Sequence, residues 1–299
     1  MQKSSSLPRQ KAADLEIIVV NYNGMFWLKK LLSTLKEQVL NRTALTIQVS
    51  VVDNGSTDES VALLKREFRW VLLHTLETNQ GFAAGNNFAL KRSTARYCML
   101  LNSDIECTAQ TLLDELVAFM DEHPKVGVVT PRVLLANGRL DMASHRGEPT
   151  PWASLAYFSG LSRLFPHNQL FAGYHQTYKD FTTIHSIDAC SGAAMLVRRS
   201  AMQKVGTLDE RFFMYAEDLD WCLRFRAAGY LIMYNPSATV VHHKYKSGIK
   251  SDSPQTSHRM QTLFYDTMLL YYDKHHAANY PKWYRSILRA ILFVKKGGV

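Results

Sequence analysis

No apolar stretch in this chain approaches the roughly 20 residues that a bilayer-spanning helix needs, which excludes a membrane span. Met1 to Asp14 are polar and lack an apolar h-region, so no secretory signal is expected there. Cysteine is scarce. Cys98, Cys107, Cys190 and Cys222 form no CxxC pair and no framework spacing, and Cys98 and Cys222 sit in apolar patterns, as buried thiols of a reducing cytoplasm would. The G-x-G-x-x-G fingerprint is missing, which sets aside a Rossmann oxidoreductase. A glycine- and arginine-rich phosphate loop, expected after the first strand of a nucleotidyltransferase, is replaced by Asn21-Tyr22-Asn23-Gly24. Internal repeats and low-complexity segments are absent too.

What remains is an ordinary globular composition, 46 % hydrophobic and 20 % charged over 299 residues, enough for one large core or two modest ones. The net charge of +9 is unevenly placed. Val241 to Val299 carry ten Lys or Arg against Asp252, Asp266 and Asp273, so this tail holds +7 and the first 240 residues only +2. A nearly neutral body argues against nucleic acid wrapping the protein. The basic tail favours an anionic surface or acceptor held at one end.

Strand and helix signals alternate along the first 130 residues. Ile17 to Val20, Ile47 to Val52, Val71 to Leu73, Tyr97 to Leu101 and Val126 to Val129 read as strands. Between them, Leu28, Leu31, Leu32 and Leu35 form a helical stripe, Ser56 and Glu59 resemble a capping box opening a helix through Val61 and Leu64, Phe82 to Leu90 suits a helix, and Leu112, Leu116 and Phe119 make another helical face. The alternation predicts an α/β fold, a mostly parallel sheet with helices on both faces. Asn137-Gly138 signals a hairpin turn. Residues 142–186 are aromatic-rich and irregular: either a packed surface excursion or an acceptor-facing insertion. Ala194 to Val197 is a strand, Leu219 to Ala228 a helix that Gly229 ends, and Ala238 to Val241 another strand. In the tail, Met260, Leu263, Phe264 and Tyr271 suit one helix. Tyr284, Ile287, Leu288 and Ile291 suit a second, flanked by Arg285, Arg289, Lys295 and Lys296. Docking on the domain is favoured for the first, and docking or membrane contact equally for the second.

Three apolar runs stop at carboxylates, and acids just past strands converge on one edge of an α/β sheet. Asp53 ends the second strand, where a carboxylate can accept the imide N–H of uracil or thymine. Asp58 suits the helix dipole instead. Asn79 to Asn87 places Gly81 and Gly85 at a loop-to-helix junction where backbone could approach a ligand. Asn102-Ser103-Asp104 follows the fourth strand, and a hard cation such as Mg2+ or Mn2+ prefers such oxygen ligands. Glu217-Asp218 opens a helix. Asp218 is the better candidate base, whereas Glu217 equally fits a dipole partner. Of His242 and His243, adjacent in a strand, at most one points into the site.

The assembled pattern resembles the family 2 inverting glycosyltransferases of the GT-A fold. The residues that carry it are Ile17 to Gly24, Val51 to Asp58, Asn79 to Phe82, Leu101 to Asp104, Ser191 to Ala194, Phe213 to Asp218 and Val241-His242. The Asn-Ser-Asp form of the DxD motif and the basic tail resemble the rhamnosyltransferase-like branch that decorates bacterial O-antigens and cell-wall polysaccharides. The resemblance implies a Rossmann-like GT-A domain over 15–247, after a flexible N-terminus (1–14), with a variable acceptor-side insertion (142–186) and a basic helical tail (248–299). It further implies that Val20, Asn21, Tyr22, Asn23 and Asp53 hold the base and ribose, and that Asn79, Gly81, Asn86, Asn102, Ser103 and Asp104 line the nucleotide-sugar site. Asp104 and His242 would hold Mg2+ or Mn2+, and Asp218 would deprotonate the acceptor, with Gly192, Glu217 and Trp221 on the acceptor side. His242 is preferred over His243 because Lys244 and Ser247 then match the relatives' H-x-K-x-x-S spacing, although Tyr245 replaces their usual glycine. The implied donor is a dTDP- or UDP-sugar, with dTDP-rhamnose foremost. The implied acceptor is a glycan or lipid-linked molecule, and the implied place is the cytoplasm, peripheral to its membrane, with no nucleic-acid partner.

Overall fold

Apolar runs fold as strands wherever helices can cover both of their faces. A computed structural model describes residues 13–244 and 254–296. Of the N-terminal segment expected to be flexible, residues 1–12 lie outside the described residues, as do Tyr245 and Ser247. Strands β1 (Leu15–Asn21), β2 (Ile47–Asp53), β3 (Leu72–Thr75) and β4 (Tyr97–Leu101) pair in parallel in the order β3-β2-β1-β4. Leu15, Ile17 and Val19 of β1 join the core beneath α1 (Met25–Leu35) and α4 (Leu113–Glu122). Ile18 joins the core on the other face, beneath α3 (Gly81–Leu90), α7 (Arg199–Val205) and α8 (Glu217–Ala227).

Beyond β4 the pairing becomes mixed. Strand β8 (Ala194–Arg198) runs antiparallel to β4 and to β6 (Val126–Leu135), and β9 (Leu231–His242) runs parallel to β6. Two three-residue strands too short to show a period in the sequence, β5 (Ile105–Cys107) and β7 (His185–Ile187), add antiparallel to β9. Among the described residues this makes one nine-stranded sheet flanked by helices, the α/β architecture expected.

Three local expectations change. Helix α2 (Ser60–Glu67) starts later than a Ser56 cap would place it. The Ser56 hydroxyl instead accepts from Asn21 and from the Asn23 N–H, and Asp58 accepts the Ser60 N–H. Helix α4 buries Leu113, Leu116, Val117 and Met120, which turns Leu112 out to solvent. Residues 142–186, irregular by their sequence pattern, contain α5 (Pro151–Phe158), capped by the Thr150 hydroxyl, and α6 (Leu161–Leu164), with Tyr157 stacked on Tyr174. Asn137-Gly138 does turn the chain, closed by the Leu135 N–H to the Arg139 carbonyl. All four cysteines are buried and unpaired.

The tail forms α9 (Pro254–His275) and α10 (Lys282–Lys295). Helix α9 docks on α8 through charge. Asp220, fully buried, accepts from Lys274 at 2.5 Å, His275 at 2.7 Å and Arg224 at 2.9 Å. Removing one member of a buried ionic network leaves the others desolvated without a partner. Asp220→Asn is therefore expected to lower the denaturant-unfolding free energy by about 3 kcal/mol. A loss below about 0.5 kcal/mol, typical of surface changes, would show that the docking does not depend on this network.

Candidate active site

The C-terminal ends of β2, β1 and β4 share one edge of the sheet, because parallel neighbours in register finish together. Asn21 stands opposite Asp53 in that register and donates to its Oδ1 at 3.2 Å. The Ser56 N–H donates to the other oxygen at 3.0 Å, and Asp53 is buried. Asn23, at φ 50°, laces the loops together by accepting from the Thr57 N–H at 2.7 Å. Tyr22 projects into solvent at the rim, and Val20 lies against Gly85 of α3. Asn79 accepts the Gly81 N–H, and Asn86 donates to the Phe82 carbonyl, so both asparagines brace the start of α3. Gly81, at φ +88°, passes so close to the Phe213 carbonyl that a Cβ would sit 2.4 Å from it. Only glycine fits there.

At the end of β4, Asp104 meets His242. The Asp104 Oδ1 lies 3.2 Å from His242 Nε2, and His242 Nδ1–H donates to Asp141 Oδ2 at 2.9 Å. Lys244 binds the second Asp141 oxygen at 3.0 Å. Burial disfavours charge on His242, but the hydrogen bonds to Asp104 and Asp141 outweigh it and raise its pKa to about 9. Burial likewise works against the Asp141 charge, and its contacts with His242 and Lys244 overcome this and hold the carboxyl far below the usual range. His243 faces the other way, onto Glu106 at 2.5 Å and stacked on Trp27, as strand alternation requires.

The donor set fits a divalent cation. One carboxylate and one imidazole nitrogen stand side by side, with the second ring nitrogen oriented by a carboxylate, the arrangement that fixes metal-ligating histidines. Among the described residues no cluster of three or more His, Cys, Asp or Glu side chains could hold a metal ion, so a cation here would need further oxygens from phosphate and water.

The opposite wall comes from α8. Tyr215 and Ala216 both adopt left-handed backbone, φ 72° and 65°, directly ahead of Glu217 and Asp218. Such strain in non-glycine residues, of order 1–3 kcal/mol each, persists where the surroundings impose it and clusters at functional sites. Asp218 Oδ2 accepts from Arg146 at 2.8 Å and from the Gly192 N–H at 3.2 Å, and Oδ1 accepts from the Leu219 N–H at 2.7 Å. Glu217 Oε2 is buried with no hydrogen-bond partner. Burial, then the adjacent Asp218 charge, push the Glu217 carboxyl up to about 8.

A cavity of about 800 Å3 joins these walls, bringing together Asn102, Asp104, Gly192, Glu217, Asp218 and His242. Asp53 and Asn21 at the sheet edge, Asn79 just ahead of α3 and Asn86 within it do not line this cavity. Ser103 stands just beyond it, beside Gly24. Trp221 requires correction. It is fully buried in the core with its indole N–H on the Gly206 carbonyl, packed with Cys222 and Phe225 beneath the sheet. Three features had no signature in the sequence: Arg146, inside an irregular stretch; Asp141, brought to His242 by β6–β9 pairing; and the left-handed pair, which contains no glycine.

A family model, Glycosyl transferase family 2, matches residues 16–206. The chain belongs to that family. The transferase is 26% identical over 287 residues, 92% of this chain and 88% of the relative, to the N-acetylglucosaminyl-diphospho-decaprenol L-rhamnosyltransferase of Mycobacterium tuberculosis. Over a 57-residue segment, 19% of this chain and 22% of the relative, it is 42% identical to rhamnosyltransferase WbbL of Escherichia coli K12. In fold it is similar to the mannosyltransferase of Pyrobaculum calidifontis in complex with GDP-Man and Mn2+ (TM-score 0.57, 18% identity, 94% of this chain and 70% of that one). The sheet and its helices are thus those of the GT-A glycosyltransferases.

Glu217 gives the transferase a pH signature. Its folded-state pKa lies above its ordinary value, so the folded form holds a proton that the unfolded chain releases between about pH 4.5 and 8. Stability is therefore full below that window and falls as pH rises through it. Glu217→Gln should flatten the decline, with denaturant unfolding at pH 5 and pH 8 differing less than in wild type by more than about 1.4 kcal/mol, one pK unit. Parallel profiles would contradict a protonated Glu217.

Proposed function

We propose that this transferase moves a sugar from a nucleoside-diphosphate donor to a hydroxyl of a glycan or lipid-linked acceptor, inverting the anomeric centre in one displacement with Asp218 as base. L-rhamnose from dTDP-rhamnose is the foremost donor reading, supported by the likeness to rhamnosyltransferases. A UDP-hexose or galactofuranose donor is the alternative within the same fold. The single observation that carries the proposal is that the Asp104–His242 pair and Asp218 line one cavity, as cation site and base of a displacement must.

Each side chain then has a task. Asp53 offers its remaining lone pairs to a pyrimidine imide N–H beside Asn21, Tyr22 and Asn23. Asp104 and His242 hold Mg2+ or Mn2+, which when bound offsets the negative charge gathering on the departing diphosphate. Asp218, steadied by Arg146 and the Gly192 N–H, takes the acceptor proton from the face opposite the leaving group. Gly192 must lack a side chain, since a Cβ would lie 2.9 Å from the Phe82 ring. The same sheet could serve a non-catalytic nucleotide-binding module, and turnover separates the two.

Titration with UDP, dTDP and GDP, with and without Mn2+, tests the donor side. Metal-dependent binding of UDP or dTDP is expected, and Asp104→Ala should weaken it at least about tenfold, whereas an unchanged metal response would reject Asp104 as a ligand. Asp218→Asn should cut transfer by at least about 100-fold with nucleotide affinity nearly intact. A large loss of nucleotide affinity in that variant would mean that its role is binding.

A further inference from the structure

One short stretch of chain, residues 141–146, braces both walls of the site. Asp141 at its start orients His242, and Arg146 at its end holds Asp218. His145, fully buried between them, ties the stretch to its surroundings. Its Nδ1 lies 2.9 Å from the His175 carbonyl, and its Nε2 lies 2.7 Å from His185 Nε2 of β7. A carbonyl only accepts, so His145 carries its proton on Nδ1 and offers a bare Nε2 to the His185 Nε2–H. The rings of Phe181 and Tyr234 close edge-on around His145, with centroids 4.8 and 5.1 Å away. His185 Nδ1 is buried with no hydrogen-bond partner among the described residues, and so is His175 Nδ1.

This pair tolerates no further proton. Wherever the shared hydrogen sits, an added one ends on His185 Nδ1, where nothing accepts it, and a second would set N–H against N–H at 2.7 Å. Burial pushes His145 down to about 4 despite its bond to the His175 carbonyl, with His185 and Lys179 adding to the effect. Burial and then Arg146 push His175 down to about 4, and burial and then Lys179 lower His185. The carboxylates opposing them are Asp141 at His175 and Asp180 at His185, while Arg132 and the Tyr234 hydroxyl are engaged with the Phe181 carbonyl. With folded-state values depressed, the unfolded chain takes up protons first. The stability given by this cluster is therefore full above about pH 6.5 and lost as pH falls toward about 4.

We propose that the His145–His185 pair is a positioning latch for the site: neutral, it pins residues 141–146 and with them Asp141 and Arg146, and on protonation it lets both walls go together. The latch acts on side-chain positions alone, whatever sugar and acceptor the site serves, so its test needs no turnover.

The test uses the full chain labelled with 15N-histidine. Long-range 15N NMR, with the ring assigned by its contacts to Phe181 and Tyr234, should show His145 as the Nδ1–H tautomer, unchanged down to about pH 5. The Nε2–H tautomer, or titration near the ordinary value of about 6.5, would overturn the latch. Hydrogen exchange read by mass spectrometry, corrected for its intrinsic pH dependence, should quicken at least about tenfold in residues 141–146 between about pH 7.5 and pH 5 while β1 stays protected. Equal loosening of β1 would mean global unfolding and would overturn it too. Two substitutions at half-buried His185 separate a hydrogen-bonded latch from packing alone. His185→Gln keeps an N–H donor at neutral pH and can turn its oxygen toward a protonated His145. It should protect 141–146 as wild type does at pH 7.5 and exchange less than wild type at pH 5. His185→Leu fills the space but donates nothing, and should open 141–146 about tenfold at pH 7.5. Wild-type behaviour of either variant at both pH values would contradict the role of the pair. Should His185→Leu not fold, the tautomer and the His185→Gln profile decide.

Discussion

The hydrogen-bonded line Asp141–His242–Asp104 fixes the geometry on which the rest of the site depends. It joins three elements distant in sequence: the turn after β6, the last residue of β9 and the loop between β4 and β5. His242 stands in register with both Ile105 and Leu135, so β9 is clamped from two sides where the line forms. A slip of one residue in β9 would exchange His242 for His243 and turn the wrong ring toward Asp104. The Asp104 carbonyl accepting the His243 N–H at 2.9 Å resists that slip.

Across the cavity, helix α8 carries two commitments within its first turn. Asp218 faces the cavity and Arg146, whereas Asp220, two residues on, faces α9 and ties down Lys274 and His275. Because the two sit on one rigid turn behind a strained left-handed pair, the candidate base and the anchorage of the tail are mechanically linked. Both Glu217 and Asp218 are buried, yet only Asp218 has a guanidinium beside it. Asp218 is paired with Arg146 while burial and that neighbouring carboxylate push Glu217 toward the neutral acid, a division set by surroundings rather than residue type.

The parallel half of the sheet was readable because doubly covered strands such as Ile17 to Val20 are continuous apolar runs, and helices such as Leu28 to Leu35 keep a 3.6-residue stripe. The acids at 53 and 104 were readable because each stands at or just past the end of such a run, whereas the apolar segment Phe212 to Tyr215 ahead of Asp218 follows a bent course and not the strand expected, turning left-handed into α8. What was not readable is non-local. Asp141 carries no motif, and its meeting with His242 depends on a register across about 100 residues. Arg146 reaches Asp218 from an excursion with no period, and β5 and β7 are three residues each. Trp221 was misplaced because its burial depends on the non-local core around it and on the Gly206 carbonyl, which the local pattern does not show. Ser56 was misread as a cap because its hydroxyl serves the loop after β1 instead.

A crystal structure with Mn2+ and dTDP or UDP tests the central geometry most directly. The expected result is an ion bound by the Asp104 carboxylate and His242 Nε2, with His242 Nδ1 still on Asp141, the diphosphate completing its shell, and the Asp218 carboxylate facing the sugar position from across the same cavity. A nucleotide bound away from Asp104, or His242 swung clear of the ion, would contradict it.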